Sequence, residues 1–175
     1  MKTLTKVATL ALILGTNTLL AYDDYALTDN YKLLNDMKLA QKQQEVIVNI
    51  NNQLNKNIID IKSLKNAQER FNRVLIGLSN GDKSLNLKGT NIDEIQLKLS
   101  EVQKIWKIEK SMLDSITEEN KEKAISKLNI IMLKMSETIA LYNKSYERFK
   151  QKSKISSIVN RHLHSNQIFA FNTIQ

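Results

Sequence analysis

From Ile125 to Phe149, an apolar residue recurs at alternating intervals of three and four positions. The members of this series are Ile125, Leu128, Met132, Met135, Ile139, Tyr142, Tyr146 and Phe149. Because an α-helix completes one turn in about 3.6 residues, this spacing places all of these side chains along one helical face. A stripe of this kind is typical of a helix that packs against its neighbours at a shallow angle.

Three earlier segments show the same periodicity. Their stripes read Leu33, Met37, Ala40, Gln44, Ile47, Asn51, Leu54, Ile58 and Ile61; then Leu64, Ala67, Phe71, Val74 and Leu78; then Ile92, Ile95, Leu99, Val102, Trp106, Glu109, Leu113 and Ile116. The sequence has no proline and only four glycines, which favours long helices over a β-sandwich. Joined by short connections, these segments predict an all-α protein, an antiparallel up-down four-helix bundle.

The first two predicted helices are separated by a turn that no glycine or proline marks. We expect the first helix to run from near Asp29 to about Asn57, with the turn between Asn55 and Ser63. The second helix should end at the run 79–82, with Gly81 in a left-handed conformation.

The later boundaries carry capping signals. Thr90 and Ser115 are the predicted capping residues of the third and fourth helices. In the loop between the second and third helices, we expect Leu85 and Leu87 to cover one end of the bundle.

The N-terminus predicts export. Lys2 and Lys6 precede an uncharged, largely apolar run over residues 7–20, and Ala21 is followed by a polar segment. This is the layout of a secretory signal peptide, residues 1–21, cleaved after Ala21. The apolar run is shorter than the roughly 20 residues that span a bilayer; the alternative is an uncleaved anchor. We therefore expect a periplasmic bundle over residues 22–150.

After Lys150 the apolar stripe gives way to a polar, mainly basic run. The C-terminal tail, residues 151–175, should be helical in part, either as a continuation of the last helix or as a separate amphipathic segment. His162 and His164 in this tail point to different sides of a helix, so we expect no metal site.

Charge and composition narrow the function further. The net charge is +8, and loss of Lys2 and Lys6 with the signal peptide would leave +6. Basic and acidic residues alternate without a dense basic cluster, which argues against a nucleic-acid partner but allows an anionic ligand, a lipid headgroup or an acidic protein. The absence of cysteine excludes disulfides. With no Ser-His-Asp set, glycine-rich phosphate loop or spaced carboxylate pair, we expect no enzymatic activity and no cofactor.

One motif order points to a family. Phe71, Leu75 and Leu78 precede Gly81-Asp82, Leu87 follows, and Val102 and Trp106 lie four residues apart in the next helix. This order resembles the N-terminal sensory domain of type IV pilus chemotaxis transducers of the PilJ kind and nitrate sensors of the NarX kind, over roughly residues 29–146. The resemblance implies structural roles for Phe71, Leu78, Gly81, Asp82 and Trp106. It also implies a signalling partner, a membrane receptor or envelope protein, for what we expect to be a stand-alone sensory module.

The resemblance also indicates where a ligand would bind. In that family the first helix carries an Ala-Gly-Arg-Gln-Arg-Met-Leu-Ser-Gln-Arg-like run, whose arginines lie near the ligand in nitrate-sensing members. The counterpart here is the run 40–47, in which Ala40 and Gln43 match, Lys42 replaces an arginine, and Gln44 and Asn49 replace the others. A lysine offers a point charge and a glutamine a neutral donor where arginine offers a planar fork. The expected ligand is a small anion such as nitrate, or another polar molecule, with Lys42 and Gln43 among its contacts.

Polar residues within the stripes leave alternatives open. Gln44 and Asn51, one heptad apart, either face a ligand or homodimer partner, or set the register inside the bundle, or lie outside the core on a rotated stripe. Glu109 interrupts the third stripe, and we expect a small rotation to expose it and to bring Ile108 inward. Trp106 is expected in the core.

Other candidate side chains have ordinary structural interpretations. Tyr142 and Tyr146 should pack in the core with their hydroxyl groups at the rim, whereas Arg70 and Arg73 should be surface residues.

Two functions fit these observations. The first is a non-enzymatic periplasmic sensory or ligand-binding bundle, with a site near Lys42, Gln44 and Asn51 that a homodimer could complete. The alternative is a structural or adaptor protein of the cell envelope without a small ligand, which docks through a bundle face or the tail after Lys150.

Overall fold

The computed structural model describes the backbone of residues 31–172 and the side chains of residues 31–159. The predicted signal peptide and the predicted start of the first helix at Asp29 lie outside the described residues, as do the side chains of His162 and His164. The described backbone contains four α-helices that pack together, with no β-strand. Its helices are α1 (residues 31–54), α2 (Ile61–Asn80), α3 (Asp93–Asp114) and α4 (Glu118–Asn172), with a short 3₁₀ helix at Lys83–Leu85.

The turn between α1 and α2 lies where the sequence predicts it, and an aspartate marks it. Asn55 donates from Nδ2 to the Asn51 carbonyl at 3.0 Å as α1 ends. Asp60 is the N-cap of α2, because its Oδ1 accepts from the Ser63 backbone N–H at 3.0 Å. The prediction that Ile58 and Ile61 extend the core stripe is wrong, since they are 85% and 60% exposed. The turn breaks the helical phase before them.

The loop between α2 and α3 folds back onto itself. Gly81 has a φ of 88° and a ψ of 149°, so its φ is positive as predicted, but its ψ is extended and not that of a left-handed helix. A Cβ there would lie 2.8 Å from the Lys88 carbonyl oxygen, which leaves glycine as the residue that fits. Asp82 and Leu87 exchange backbone hydrogen bonds of 3.0 and 2.9 Å. The predicted cover is confirmed: Leu87 is buried, and Leu85 is half-buried against the core.

The predicted capping residues of α3 and α4 are wrong. The N-cap of α3 is Ile92, without a side-chain hydrogen bond, whereas Thr90 accepts from the Ile92 N–H at 3.1 Å just before the helix. Ser115 is the C-cap of α3 and donates to the Ser111 carbonyl at 3.2 Å. At the start of α4, the Asn120 Oδ1 accepts from the Thr117 N–H at 2.8 Å. The structure therefore uses other donors and acceptors one turn away from the predicted ones.

Residues 32–145 form one compact unit with a continuous apolar core. The largest fully buried side chains include Trp106, Tyr142, Phe71, Ile47, Ile50 and Leu99. Side chains of this size stabilise a fold by roughly 1.5–3 kcal/mol each on burial.

The α1 and α4 stripes are rotated or shorter than the sequence predicts. In α1, Gln43 and Ile50 are buried, and Gln44 and Asn51 lie half-buried beside them. In α4, Phe149 is 39% exposed, so the stripe leaves the core after Tyr142.

The buried face of α3 includes a carboxylate side chain, that of Glu109. Glu109 is fully buried, and Ile108 is 58% exposed, which is the reverse of the predicted rotation. Five apolar stripe residues on α3, spaced by three and four, fix the phase of this helix, and Glu109 lies on their face.

The rest of α4, residues 146–172, belongs to a second unit. The helix runs without a break to Asn172, so of the two interpretations of the tail, continuation of the last helix is confirmed over its described length. Ile155, Ile158 and Val159 are 62%, 44% and 49% exposed. Over the described part of the chain, no helix combines the length and hydropathy that crossing a membrane requires.

Candidate ligand-binding cleft

A cleft of about 390 Å³ lies between α1 and α2, and we call it the basic cleft. Its volume falls within the range of about 300–1,000 Å³ that is usual for small-molecule sites. Its lining residues are Leu39, Lys42, Gln43, Asn66, Glu69, Arg70, Arg73, Val74 and Leu85.

Helical spacing places the polar residues of the cleft on two facing surfaces. On α2, Asn66, Arg70 and Arg73 are spaced by four and three residues, which puts them on one face. On α1, Lys42 and Gln43 lie one turn after Leu39. The two walls are consecutive helices, so one short connection brings them together.

Two of the three cations in the cleft lining have no ion-pair partner. Lys42, Arg70 and Arg73 against Glu69 give the lining a formal net charge of +2, which the ion pair of Arg73 with Asp82 outside the lining reduces to +1. Lys42 and Arg70 make no ion pair or side-chain hydrogen bond with any residue whose side chain the structure describes. No ion pair therefore holds these two exposed cations, which come from different helices, at the walls of the cleft.

Arg73 has partners at the rim of the cleft. Its Nε lies 3.2 Å from Asp82 Oδ2, and its Nη2 donates to the Ser84 hydroxyl. The Ser84 hydroxyl in turn donates to Asp82 Oδ1. The hydrogen bond from Ser84, and after it the one from Arg73, holds the pKa of Asp82 below its ordinary value. Asp82, which the family resemblance marks, therefore organises the loop and fixes one arginine of the cleft.

Gln43 forms part of the cleft lining and is only 1% exposed. Its Nε2 donates to the Leu39 carbonyl at 3.2 Å, whereas its Oε1 is buried and has no hydrogen-bond partner. A buried acceptor without a partner costs roughly 1–3 kcal/mol. Such an atom marks either a locally unfavourable site or a place where an occupant supplies the missing donor.

The four residues that the sequence singles out for ligand binding do not lie together. Lys42 and Gln43 line the basic cleft, whereas Gln44 and Asn51 face α4. Gln44 Nε2 donates to the Ser136 hydroxyl at 2.6 Å, and Asn51 Nδ2 donates to Asn129 Oδ1 at 3.2 Å. These amides join α1 to α4, and a ligand in the cleft does not reach them.

Sequence reasoning missed the contribution of α2. Arg70 and Arg73 are exposed, as predicted for surface residues, but they also line the cleft opposite Lys42. The signal that could have found them is the spacing of Asn66, Arg70 and Arg73 on the face flanking the apolar stripe.

A second groove, of about 410 Å³, lies between α2 and α3, with Trp106 and Lys107 in its lining. Lys110 is paired there with Asp114 at 3.3 Å. Gln103 donates from Nε2 to the Ser79 hydroxyl at 2.9 Å. Of the two lysines in its lining, only Lys107 then has no ion pair among the described side chains, so the groove presents a weaker case for an anion than the basic cleft, which has two such cations.

The core holds unpartnered polar groups of its own, near the ring contact between Phe71 and Trp106 at 4.5 Å. Gln68 and Glu109 each lie three residues from one member of this pair, and both are buried. The Trp106 Nε1, the Gln68 Oε1 and both Glu109 carboxylate oxygens have no partner. Burial raises the pKa of Glu109 to about 7, and Lys127 opposes this shift. Near neutral pH, this carboxyl group therefore holds a proton more tightly than an exposed glutamate does.

Two further buried titratable side chains, Asp36 and Tyr142, belong to α1 and α4. Asp36 is 2% exposed, and its Oδ1 accepts from the Lys88 backbone N–H at 3.4 Å. Burial raises its pKa to about 6, against the lowering effect of Lys88. Tyr142 is fully buried with an unpartnered hydroxyl, not at the rim as predicted. Burial, and after it the charge of Asp36, raises the pKa of Tyr142.

Comparison of the chain with protein-family models, with curated proteins and with solved structures finds no match. The PilJ-like and NarX-like order of motifs therefore stays a resemblance, and the functional argument depends on the basic cleft itself.

Proposed function

We propose that this chain is a non-enzymatic, exported helical bundle that binds a small anion in the basic cleft between α1 and α2. One observation carries the proposal: Lys42 and Arg70 line the two walls of a ligand-sized cleft and neither has a counter-charge among the described side chains. An anion between them would relieve their repulsion and gain charge-assisted hydrogen bonds of roughly 1.5–3 kcal/mol each.

Binding of this kind would also carry a signal. An anion that contacts α1 and α2 together favours one spacing of the two helices over others, because its contacts depend on that spacing. A membrane receptor or envelope protein that recognises the bundle surface, or a second copy of the chain in a homodimer, would read the change. This is the sensory role that the PilJ-like and NarX-like motifs imply, with nitrate as one candidate anion.

We further infer that the four helices form an antiparallel up-down bundle. In support, residue numbers rise along α1 as they fall along α4 in the pairs Gln44–Ser136 and Asn51–Asn129. The layout of residues 1–21 supports export to the periplasm.

The alternative, an envelope adaptor without a small ligand, is favoured by a different observation. Phe149, Ile155, Ile158 and Val159 leave apolar side chains exposed on the far part of α4. Apolar side chains at helical spacing are the usual anchors of a docking helix.

Calorimetric titration of the exported protein with nitrate, acetate and succinate tests the proposal. We expect at least one of these anions to bind, and Arg70→Gln to weaken its affinity by about tenfold, since one charged contact is lost. Arg148→Gln is the matched control, because Arg148 is an exposed arginine outside the cleft. Equal binding by Arg70→Gln and the unmodified protein would contradict an anion site in this cleft and favour the adaptor.

A further inference from the structure

The acceptors in the basic cleft narrow the class of anion. We propose that the ligand is a small carboxylate that also carries a hydrogen-bond donor, a hydroxyl or ammonium group, close to its carboxyl group. This inference rests on the proposed function, since it concerns the same site, and it disfavours nitrate as the occupant.

The first line of evidence is the buried amide. Gln43 offers an oxygen without a donor, while its nitrogen is already engaged by the Leu39 carbonyl. The terminal torsion of a glutamine is broad and roughly twofold, so a small turn presents the oxygen to an occupant. Nitrate and simple carboxylates have only acceptor atoms and leave this oxygen unsatisfied.

The second line of evidence is the carboxylate of the cleft. Glu69 lies among the basic residues, and no ion pair or hydrogen bond involves its side chain within the described residues. It repels a ligand that is uniformly negative, but it attracts a hydroxyl or ammonium group.

The charge balance of the lining agrees with a mixed ligand. Three lining cations, one of them paired with Asp82, and one lining anion call for a molecule whose negative charge exceeds its positive charge but which has both an acceptor end and a donor group. A dicarboxylate of about four carbons with one hydroxyl or amino substituent has this pattern, and molecules of this size suit a cleft of about 390 Å³.

The test compares ligands that differ by one group. Succinate, malate and aspartate share two carboxylates, and the last two add a hydroxyl and an ammonium group. By calorimetric titration we expect malate or aspartate to bind about tenfold or more tightly than succinate, because only they satisfy the free acceptors. Equal affinity for the three overturns the inference while leaving an anion site in place.

Two variants assign the preference to its residues. Glu69→Gln should reduce the advantage of aspartate over succinate toward unity, and Gln43→Met should do the same for malate. Because Glu69 is exposed, its variant tests the inference even where Gln43→Met impairs folding. An undiminished preference in Glu69→Gln and in folded Gln43→Met overturns the assignment. Failure of succinate, malate, aspartate and nitrate alike to bind refutes the proposed function itself.

Discussion

Two surfaces of the bundle present basic side chains in opposite ways. On the surface between α3 and α4, which we call the α3–α4 seam, Lys98 lies 2.9 Å from Glu137 and Lys134 lies 3.1 Å from Glu101. Each lysine also contacts the glutamate of its own helix at 3.4 Å. In the basic cleft, Lys42 and Arg70 face each other without such partners.

The difference shows what the charges do. In the seam, hydrogen bonds across the helices raise the pKa of Lys98 and lower the pKa values of Glu101 and Glu137, so all of these groups stay charged and mutually satisfied. The seam thus joins two helices, and no ligand is needed to complete it. In the cleft, by contrast, Lys42 and Arg70 have no ion-pair partner among the described side chains, which is why we propose that an anion binds there.

The largest expected effect is the change in the free energy of unfolding with pH that the buried Glu109 causes. Its pKa is about 7 when folded and 4.5 at its ordinary value, so the folded state binds the proton more tightly. The free energy of unfolding should therefore fall by about 3 kcal/mol as pH rises from the lower value to the higher. Glu109→Gln should remove this loss, and chemical denaturation of both proteins across this pH range measures it.

Asp36 supplies the internal control for that experiment. Its pKa is raised from 3.8 to about 6, so the free energy of unfolding also falls as pH rises through this lower range. The Glu109→Gln variant should retain this part of the decline. Identical pH profiles for the Glu109→Gln variant and the unmodified protein would show that Glu109 is hydrated or paired, contrary to its full burial.

The next effect concerns the cleft. The double variant Lys42→Gln/Arg70→Gln should weaken the affinity for a bound anion by about a hundredfold, since two charged contacts disappear. Lys98→Gln/Lys134→Gln removes the same charge from the seam and should leave the affinity almost unchanged. Calorimetric titration measures both, and equal losses would mean that only the net charge of the bundle attracts the anion.

The stability of the same variants should follow the reverse order. Lys98→Gln/Lys134→Gln should lower the denaturation midpoint, because it breaks cross-helix ion pairs, whereas the cleft double variant should leave it unchanged or raise it slightly. Denaturation in low salt and in roughly 1 M salt is the measurement, since screening should abolish the difference. A cleft variant that is destabilised as much as the seam variant would show that Lys42 or Arg70 has a structural counter-charge.

The smallest effect is the pH response of the seam. The pKa values of Glu101 and Glu137 are lowered, so their contribution is present above the ordinary carboxylate range and is lost as pH falls through the folded values. This sign is opposite to that of Glu109. Glu101→Gln should therefore lower the free energy of unfolding slightly at neutral pH and flatten its decline on the acid side, while the change linked to Glu109 persists; chemical denaturation across the pH range measures both.

The sequence predicts the helices better than their rotation. The stripe of α2 reads correctly because uninterrupted apolar steps of three and four leave one face to bury, and the stripe of α3 reads correctly except at Glu109. In α1, Ile47 and Ile50 are both apolar, so two rotations of the helix about its axis would each bury an apolar stripe. The hydrogen bonds from Gln44 and Asn51 to α4 select one of these rotations. Periodicity alone could not choose, because the choice depends on a partner helix about 80 residues away.

The prediction for Glu109 failed for another reason. The rule that a buried carboxylate is costly is sound, but rotating α3 to expose Glu109 would also expose neighbours such as Leu113 and Trp106, which the structure buries. The cost of one unpaired carboxyl group is smaller, since protonation limits it. For the basic cleft, Lys42 and Gln43 could be identified from the sequence, but the opposing wall required the pairing of α1 with α2.

The cleft is built from one short, continuous segment of the chain. Every lining residue falls within positions 39–85, on two successive helices and the loop that follows them. The opening of the cleft therefore depends on a few chain positions around Asp60, whose side chain holds the first turn of α2. An insertion or deletion in that connection would change the distance between Lys42 and Arg70 without replacing either residue, so the length of the chain there controls the width of the cleft.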